Sequence, residues 1–145
     1  MTALVAKVFW DTNLFIYLLE DSREFGQAVE NLRRRMLHRN DYLLTSAMTV
    51  GEILVKPLTT GNRAIADRYR SFFTSPQMTV SAFNFAAAES YARIRRERAI
   101  QPADAIQLAC AASAEVDLFI TNDDRLSKYN VQGIDFITSL SRAPI

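Results

Sequence analysis

Four carboxylate side chains stand in stretches of the sequence that carry little other charge. Asp11 ends an apolar run, and Asp123 follows the apolar segment DLFIT. Glu52 lies in a nearly uncharged stretch, and Asp104 is the only charged residue of the helix-like segment PADAIQLACAASA. A carboxylate beside a buried helix costs free energy unless backbone donors, a cationic side chain or a metal ion compensates it. A metal ion is a candidate for Asp104, because no basic residue stands near it in sequence, and an arginine from a distant segment is the alternative.

Four carboxylates in one pocket would favour the binding of a cation. They repel each other and raise each other's pKa values, and a divalent cation removes that penalty. Mg²⁺ and Mn²⁺ are the fitting ions, because every candidate ligand is a hard oxygen and the chain has only one histidine and one cysteine. An Mg²⁺ ion bound by carboxylates retains several waters, one of which can attack a phosphodiester. The four acids therefore predict hydrolytic phosphoryl transfer to water.

Each of these acids also has a structural interpretation. Asp11 and Asp123 stand where a carboxylate can cap the segment that follows. Glu52 can form an ion pair with Lys56 on a helix surface, and Asp104 suits the first turn of a helix, where the dipole favours negative charge. Taken one at a time, a structural role is the more common one. The catalytic interpretation depends on the four acids lying together.

Short apolar runs alternate with longer segments of helical periodicity along the chain. The runs predict strands over Leu4–Trp10, Tyr42–Thr45, Met78–Ser81, Asp117–Thr121 and Ile134–Ile137. The predicted helices are Leu14–Leu19, Arg23–Arg39, one capped by Ser46 that runs to Lys56 and is closed by Pro57, Gly61–Thr74, one capped by Asn84 that reaches about Ile100, and one from Pro102 to about Glu115. This alternation predicts one α/β domain over residues 1–145, with a mostly parallel sheet covered by helices on both faces. Ligands of such sheets bind beyond the carboxyl ends of the strands, where Asp11 and Asp123 stand.

Length and composition narrow the class of protein. The chain has 145 residues, 49% of them apolar, which is enough for one domain with its own core. Only four glycines, four prolines and one cysteine are present, which excludes disordered, collagen-like and disulfide-stabilised classes. No apolar run approaches the ~18 residues of a membrane span, and the N-terminal segment lacks the features of a signal peptide. We therefore expect a soluble cytoplasmic protein without membrane contact.

Arginines are concentrated in two segments of the chain. Most of the 17 Lys and Arg residues are arginines, which bind phosphate with a planar fork and stack on bases. The two clusters comprise Arg33, Arg34, Arg35 and Arg39, and then Arg93, Arg95, Arg96 and Arg98. Each cluster alone is typical of a solvated helix face. Arg93 and Arg96 are the arginines that we select as candidate substrate-binding residues.

The segments that carry the four acids resemble those of a known family. They read VFWDTNLFIYLLE, LLTSAMTVGEILVKP, QPADAIQLACAA and LFITNDDRL, and in this order they span nearly the whole chain. Each motif is weak alone, but together and at these separations they resemble the PIN-domain ribonucleases, in particular the VapC-like toxins of toxin–antitoxin pairs. The resemblance implies a three-layer α/β/α sandwich with a mostly parallel central sheet.

The resemblance also implies roles for individual residues. It implies catalysis and the binding of one or two Mg²⁺ or Mn²⁺ ions by four acids, Asp11, Glu52, Asp104 and Asp123. It implies polar support from Asn13, Ser46 and Thr121. Asp124 is the alternative to Asp123 as the fourth acid, because the two are adjacent. Family members cut RNA, often as homodimers, and the toxins are inhibited by a small antitoxin protein that covers the site.

Two other functions are open at the level of sequence. A receiver-type signalling domain also holds Mg²⁺ in an acidic pocket, but it needs an acceptor aspartate after a middle strand, and YLLTS ends without one. A non-catalytic RNA-binding module is the other alternative, although all four acids are present. The chain lacks a Gly-x-Ser-x-Gly segment and the glycine-rich phosphate loops, so serine hydrolases and nucleotide-binding enzymes have no support.

Overall fold

The computed structural model describes residues 5–20 and 22–145 of the chain. The strands in this part are β1 (Lys7–Trp10), β2 (Tyr42–Ser46), β3 (Met78–Ser81), β4 (Val116–Thr121) and β5 (Ile134–Ser139). The α-helices are α1 (Thr12–Leu19), α2 (Gly26–Arg39), α3 (Ala47–Thr60), α4 (Arg63–Phe73), α5 (Phe85–Ile94) and α6 (Pro102–Ser113). The predicted first strand begins at Leu4, outside the described residues, and its later part forms β1. None of the described helices combines the length and apolarity that crossing a membrane requires.

The strands form one parallel sheet in the order β3-β2-β1-β4-β5. The chain first adds β2 and β3 on one side of β1, and then returns to add β4 and β5 on the other side. The switch point of this topology therefore lies between β1 and β4, where Phe9 pairs with Phe119. In open parallel sheets, ligands bind in the crevice beyond the carboxyl ends of the strands at such a point. The parallel sheet predicted from the sequence is confirmed.

Apolar side chains alternate between the two faces of the sheet and build a core on each. In β1, Val8 and Trp10 belong to the core formed with helices α1 to α4, while Phe9 belongs to the core formed with α5 and α6. The Phe9 and Phe119 rings stack with their centroids 5.0 Å apart. Parallel strands buried on both faces are apolar at every position, which explains the continuous apolar runs in the sequence. The predicted three-layer α/β/α arrangement is confirmed.

Two helices end at different places from the sequence prediction. Pro57 lies inside α3 and does not close it. The helix ends at Thr60 and is capped by Gly61, whose φ of 71° is the left-handed conformation that suits glycine. A single proline removes one helical hydrogen bond, and the rest of α3 tolerates this loss. Helix α5 ends at Ile94 rather than near Ile100. The chain turns there, and the Arg95 guanidinium donates to the Ile100 carbonyl at 2.6 Å.

Side-chain caps determine where α1 and α3 begin, at the carboxyl edge of the sheet. The Asp11 carboxylate accepts from the backbone N–H of Thr12 at 2.9 Å and caps α1. The Ser46 hydroxyl accepts from the backbone N–H of Thr49 at 3.4 Å and caps α3, as the sequence predicts. Each cap satisfies a donor that the first turn of a helix leaves unpaired. Both helices therefore begin directly after a strand, with their first turns at the same edge.

Two glycines test opposite consequences of the backbone geometry. Gly133 has a φ of 99°, and a Cβ there would lie 2.5 Å from the carbonyl oxygen of Ala112. We expect Gly133→Ala to lower the free energy of unfolding by about 2 kcal/mol or more, because the opposing atoms belong to the backbone.

Gly51 lies in α3 with nothing within 4 Å of its Cβ position. Gly51→Ala should raise the free energy of unfolding by about 0.5–1 kcal/mol. Urea unfolding measures both, and equal stabilities would contradict this geometry.

Candidate active site

The four predicted acids come from four remote segments and lie at the carboxyl edge of the sheet. Asp11 follows β1 directly, and its backbone N–H donates to the carbonyl of Ile120 in β4 at 3.0 Å. Asp123 comes shortly after the end of β4. Glu52 lies in the second turn of α3, and Asp104 lies in the first turn of α6. The site is therefore built at the switch point between β1 and β4.

The Asp11 carboxylate is half-buried and is held at both oxygens. Its Oδ1 accepts from the backbone N–H of Thr12 at 2.9 Å and from Nε2 of Gln107 at 3.3 Å. Its Oδ2 accepts from the hydroxyl of Thr121 at 2.8 Å. The interpretation of Asp11 as a helix cap is confirmed. A carboxylate offers about four lone-pair sites, so these bonds leave capacity for a further ligand.

Glu52 is exposed and is linked to the neighbour of Asp11. Its Oε1 accepts from the Thr12 hydroxyl at 2.8 Å, and the same hydroxyl oxygen lies 3.1 Å from Nε2 of Gln107. The ion pairs of the described residues include none between Glu52 and Lys56. The surface ion pair that the sequence offered as an alternative is therefore absent from residues 5–20 and 22–145, and Glu52 is oriented toward α1.

The pKa of Asp104 is raised above its ordinary value by burial and by the surrounding acids. Burial is the largest cause, and the negative charges of Asp11, Asp123 and Glu52 act in the same direction. The Arg125 guanidinium opposes them without cancelling them. The geometry agrees with this shift, because Asp104 and Asp123 line one cavity and Thr12 donates hydrogen bonds to both Asp11 and Glu52.

Asp123 has a cation of its own, Arg125. Its Oδ1 accepts from the backbone N–H and from Nε of Arg125 at 3.0 and 2.9 Å, and its Oδ2 accepts from Nη2 at 2.7 Å. The side-chain hydrogen bond from Arg125 is the main reason that the pKa of Asp123 lies below its usual range. Asp124 is exposed and is not among the charges that act on Asp104. This placement favours Asp123 over Asp124 as the fourth acid.

A buried glutamine, Gln107, joins the elements around the acids. It is 2% exposed, and its Nε2 donates toward Asp11 and toward the hydroxyls of Thr12 at 3.1 Å and Thr49 at 2.7 Å. Its Oε1 accepts from the Ser46 hydroxyl. Nε2 must be the atom that faces Asp11, because a carboxylate only accepts and an amide nitrogen only donates. Gln107 therefore fixes α6 against the first turns of α1 and α3.

The predicted supporting residues differ in their distance from the acids. Thr121 is buried and donates directly to Asp11. Ser46 is buried as well, but it reaches Asp11 only through Gln107. Asn13 is exposed in α1, and its side chain makes no hydrogen bond within residues 5–20 and 22–145. The structure therefore brings Thr121 and Ser46 into the network and leaves Asn13 facing solvent.

The two arginine clusters occupy different parts of the molecule. In the first cluster, Arg39 pairs with the buried Asp41 at 3.0 Å, just before the amino end of β2 and thus at the opposite end of that strand from the acids. In the second cluster, Arg93 lies in the last turn of α5, where its Nη2 donates to the Ser90 hydroxyl at 3.3 Å. Arg96 is exposed in the turn that follows. Arg93 lines a cavity that shares Tyr129 with the cavity lined by Asp104 and Asp123, whereas Arg34, Arg35 and Arg39 line a different cavity.

Sequence reasoning did not select three members of this network, Thr49, Gln107 and Arg125. Gln107 carried a usable signal, because it and Asp104 are the two large polar side chains of α6 and they stand one turn apart on the same face. Arg125 follows Asp123 closely enough for a local ion pair. Nothing local distinguishes Thr49 from any other threonine of a helix.

The donor set fits a divalent cation that is bound partly through water. All four acids offer hard oxygen ligands, and no ion pair within residues 5–20 and 22–145 includes Asp104. No three His, Cys, Asp or Glu side chains in the described part of the chain form a ready-made metal cage. Mg²⁺ commonly binds through one or two carboxylates and keeps several waters, so it does not require one.

Comparison with known proteins identifies the family. The family model for the PIN domain matches residues 8–132, a range that contains all four acids, the strands β2, β3 and β4, and β1 except for Lys7. The chain therefore belongs to the PIN domain family. A search of curated proteins finds no match to it.

Solved structures with the same fold include toxin–antitoxin proteins. VapBC2 from Rickettsia felis, bound to a DNA fragment from its promoter, has a TM-score of 0.65 and 13% identity, covering 91% of this chain and 97% of that one. A toxin–antitoxin complex from Klebsiella pneumoniae has a TM-score of 0.64 and 20% identity, covering 88% and 95%. VapC20 from Mycobacterium tuberculosis, a toxin that cleaves the sarcin–ricin loop, has a TM-score of 0.67 and 13% identity, covering 86% and 97%. At these identities the likeness establishes the fold.

Asp104→Asn tests the repulsion among the acids. At pH 7 in EDTA we expect this variant to raise Tm by roughly 2 °C, the shift that a fraction of a kcal/mol produces in a domain of this size. The pKa of Asp104 is raised on folding, so the native wild type loses stability as the pH rises from the ordinary aspartate pKa to the raised one. The difference in Tm should therefore vanish in acid, where both states are protonated.

The control for this experiment is Asp135→Asn, which neutralises an exposed acid of β5. We expect its Tm at pH 7 to equal that of the wild type in thermal unfolding followed by circular dichroism. A lower Tm for Asp104→Asn at pH 7 would mean that the Asp104 carboxylate makes a stabilising hydrogen bond, and would contradict the repulsion.

Proposed function

We propose that this chain is a metal-dependent endoribonuclease and the toxin of a toxin–antitoxin pair. The observation that carries the proposal is that four acids from remote segments lie together. Thr12 donates hydrogen bonds to both Asp11 and Glu52, and Asp104 and Asp123 line one cavity. Membership of the PIN domain family supports the same conclusion. These four acids would hold one or two Mg²⁺ or Mn²⁺ ions, which supply a polarised water for attack and stabilise the leaving oxygen.

The protein groups around the acids have separate tasks in this proposal. The Asp11 and Asp104 carboxylates provide negative charge and ligand oxygens from β1 and from α6. Gln107 and Thr121 hold Asp11 by hydrogen bonds, which keeps its remaining lone pairs directed into the site. The Arg125 side chain is 78% exposed, and its Nε and Nη2 donate to Asp123, so its Nη1 is the nitrogen that can bind a phosphate oxygen of the substrate.

RNA is the proposed substrate, and a small antitoxin protein is the proposed partner. VapC20 cleaves the sarcin–ricin loop, and the Klebsiella pneumoniae neighbour is a toxin–antitoxin complex. We extend these properties to the present chain because it shares their fold and places four acids at the switch point of the sheet. The antitoxin would cover the acids, and the cleavage would take place in the cytoplasm.

Cleavage of total RNA tests the nuclease proposal. We expect the wild type to produce fragments in Mn²⁺ or Mg²⁺ and none in EDTA. Asp11→Asn should reduce the rate by at least about 100-fold, and Gln107→Ala should reduce it by about 10- to 100-fold, because Gln107 supports a ligand without being one. The measurement is the initial rate of fragment formation on a denaturing gel.

A matched pair of neighbouring variants is the control for this assay. Asp123→Asn should lower the rate, whereas Asp124→Asn, one residue further on and exposed, should leave it unchanged. A folded Asp11→Asn protein that cuts RNA at the wild-type rate would contradict the assignment of the site. RNA that is bound in EDTA and stays intact in Mn²⁺ would favour the non-catalytic RNA-binding alternative.

Expression in a bacterial host tests the toxin part of the proposal. We expect induction of the wild type to stop growth within about one generation, and induction of Asp11→Asn to leave growth unchanged, because arrest requires RNA cleavage. The product of the neighbouring reading frame should restore growth and copurify with the chain. Normal growth in a host that contains active wild-type nuclease would separate the toxin proposal from the nuclease proposal and contradict the former.

A further inference from the structure

A cavity of about 280 Å³ lies between the end of α5 and the segment that follows Lys128. Its lining combines apolar side chains with charged and amide groups, among them Arg93, Ile94, Glu97, Ile100, Tyr129 and Asn130. None of the four acids lines this cavity. It is therefore a feature separate from the candidate metal centre.

Tyr129 connects this cavity to the acids. A second cavity of about 240 Å³ is lined by Asp104, Asp123, Arg125 and the same Tyr129. The two cavities therefore meet at the tyrosine, one on its acidic side and the other on its α5 side. A chain molecule with its phosphate at the acids can extend past Tyr129 into the larger cavity.

Cationic side chains lie near Tyr129 and line the two cavities. The Lys128 ammonium lies 5.2 Å from the centroid of the Tyr129 ring. Arg125 is exposed at the cavity that contains Asp104 and Asp123, and Arg93 is exposed at the larger cavity. An aromatic ring among cations is the arrangement with which proteins hold single-stranded nucleic acid, since the cations bind phosphates and the ring stacks on a base.

We propose that the larger cavity binds one unpaired RNA base that neighbours the phosphate held at the acids; this inference rests on the proposed function. Ile94 and Ile100 supply an apolar wall for the flat face of a base. Arg93 offers only donors, Glu97 offers only acceptors, and the Asn130 amide offers both, so the rim can read the edge of a base. The bases of a duplex are stacked and paired, so the cavity selects single strands and loops.

Fluorescence anisotropy with a labelled RNA decamer tests this inference. The titrations use the full chain carrying Asp11→Asn in Mg²⁺, so that the RNA stays intact. Against this background, Arg93→Ala and Tyr129→Leu should each weaken binding of the single-stranded decamer at least about fivefold, the lower end of what one stacked base contributes. Binding of a duplex of the same sequence should stay unchanged.

Two variants remote from the cavity provide matched controls. Arg63→Ala removes the same charge from an exposed position of α4, and Tyr42→Leu removes the same ring from an exposed position at the amino end of β2. Both should bind the decamer with the affinity of the background protein. Because Tyr129 packs partly into the core, thermal unfolding checks its variant, while the exposed Arg93→Ala variant provides a test that does not depend on it.

The outcomes distinguish this inference from the proposed function. Equal affinities of Arg93→Ala and Arg63→Ala for the decamer overturn the base-binding cavity, and so does an equal loss for single strand and duplex. Wild-type cleavage of the decamer in Mn²⁺ is measured in parallel. If the wild type cleaves the decamer and Arg93→Ala binds it as tightly as the background protein, only the base-binding proposal is overturned. If binding depends on Arg93 but the wild type cleaves nothing, the base-binding proposal is supported and the nuclease proposal is overturned.

Discussion

The repulsion among four carboxylates at one edge of the sheet is the constraint on which the site depends. Partly exposed charges interact by about 1 kcal/mol or less, whereas one hydrogen bond to a charged group contributes about 1.5–3 kcal/mol. Asp11 accepts three such bonds, from the Thr12 backbone, Gln107 and Thr121. The supporting hydrogen bonds therefore outweigh the repulsion, and Asp104 retains the part of it that is left uncompensated.

The topology of the sheet explains why the acids meet where they do. Strand order reverses between β1 and β4, so the helices that follow the strands leave a crevice at this point. Helices α1 and α3 begin at the same edge, directly after β1 and β2. The partial positive charge of a helix start favours nearby anions, which lowers the cost of gathering carboxylates there. Fold and site are therefore consequences of one arrangement of parallel strands.

The sequence contains the fold and the four acids, but not the network that supports them. Strand runs, helix periodicity and the Ser46 cap are local signals, and acids in uncharged surroundings are conspicuous one by one. The bond from Ser46 to Gln107 joins residues that are 61 positions apart, so no local pattern records it. The end of α3 is likewise not marked where the local signal suggests it. The helix continues through the buried Pro57, and the chain turns only at Gly61. Local physics places the acids at element ends, and tertiary contacts decide how they are held.

Asp104 and Gln107 stand one turn apart on a single rigid helix, α6, and this spacing limits how the protein can diverge. A helix advances by about 100° per residue, so one inserted residue between them would turn one of the two side chains away from Asp11. The number of residues between Asp104 and Gln107 must therefore stay the same, whatever residues surround them. The segments that border the larger cavity, after α5 and after Lys128, have no such register to keep. Descendants of this chain can acquire new substrate preferences there by changing loop length, while the hydrolytic chemistry stays as it is.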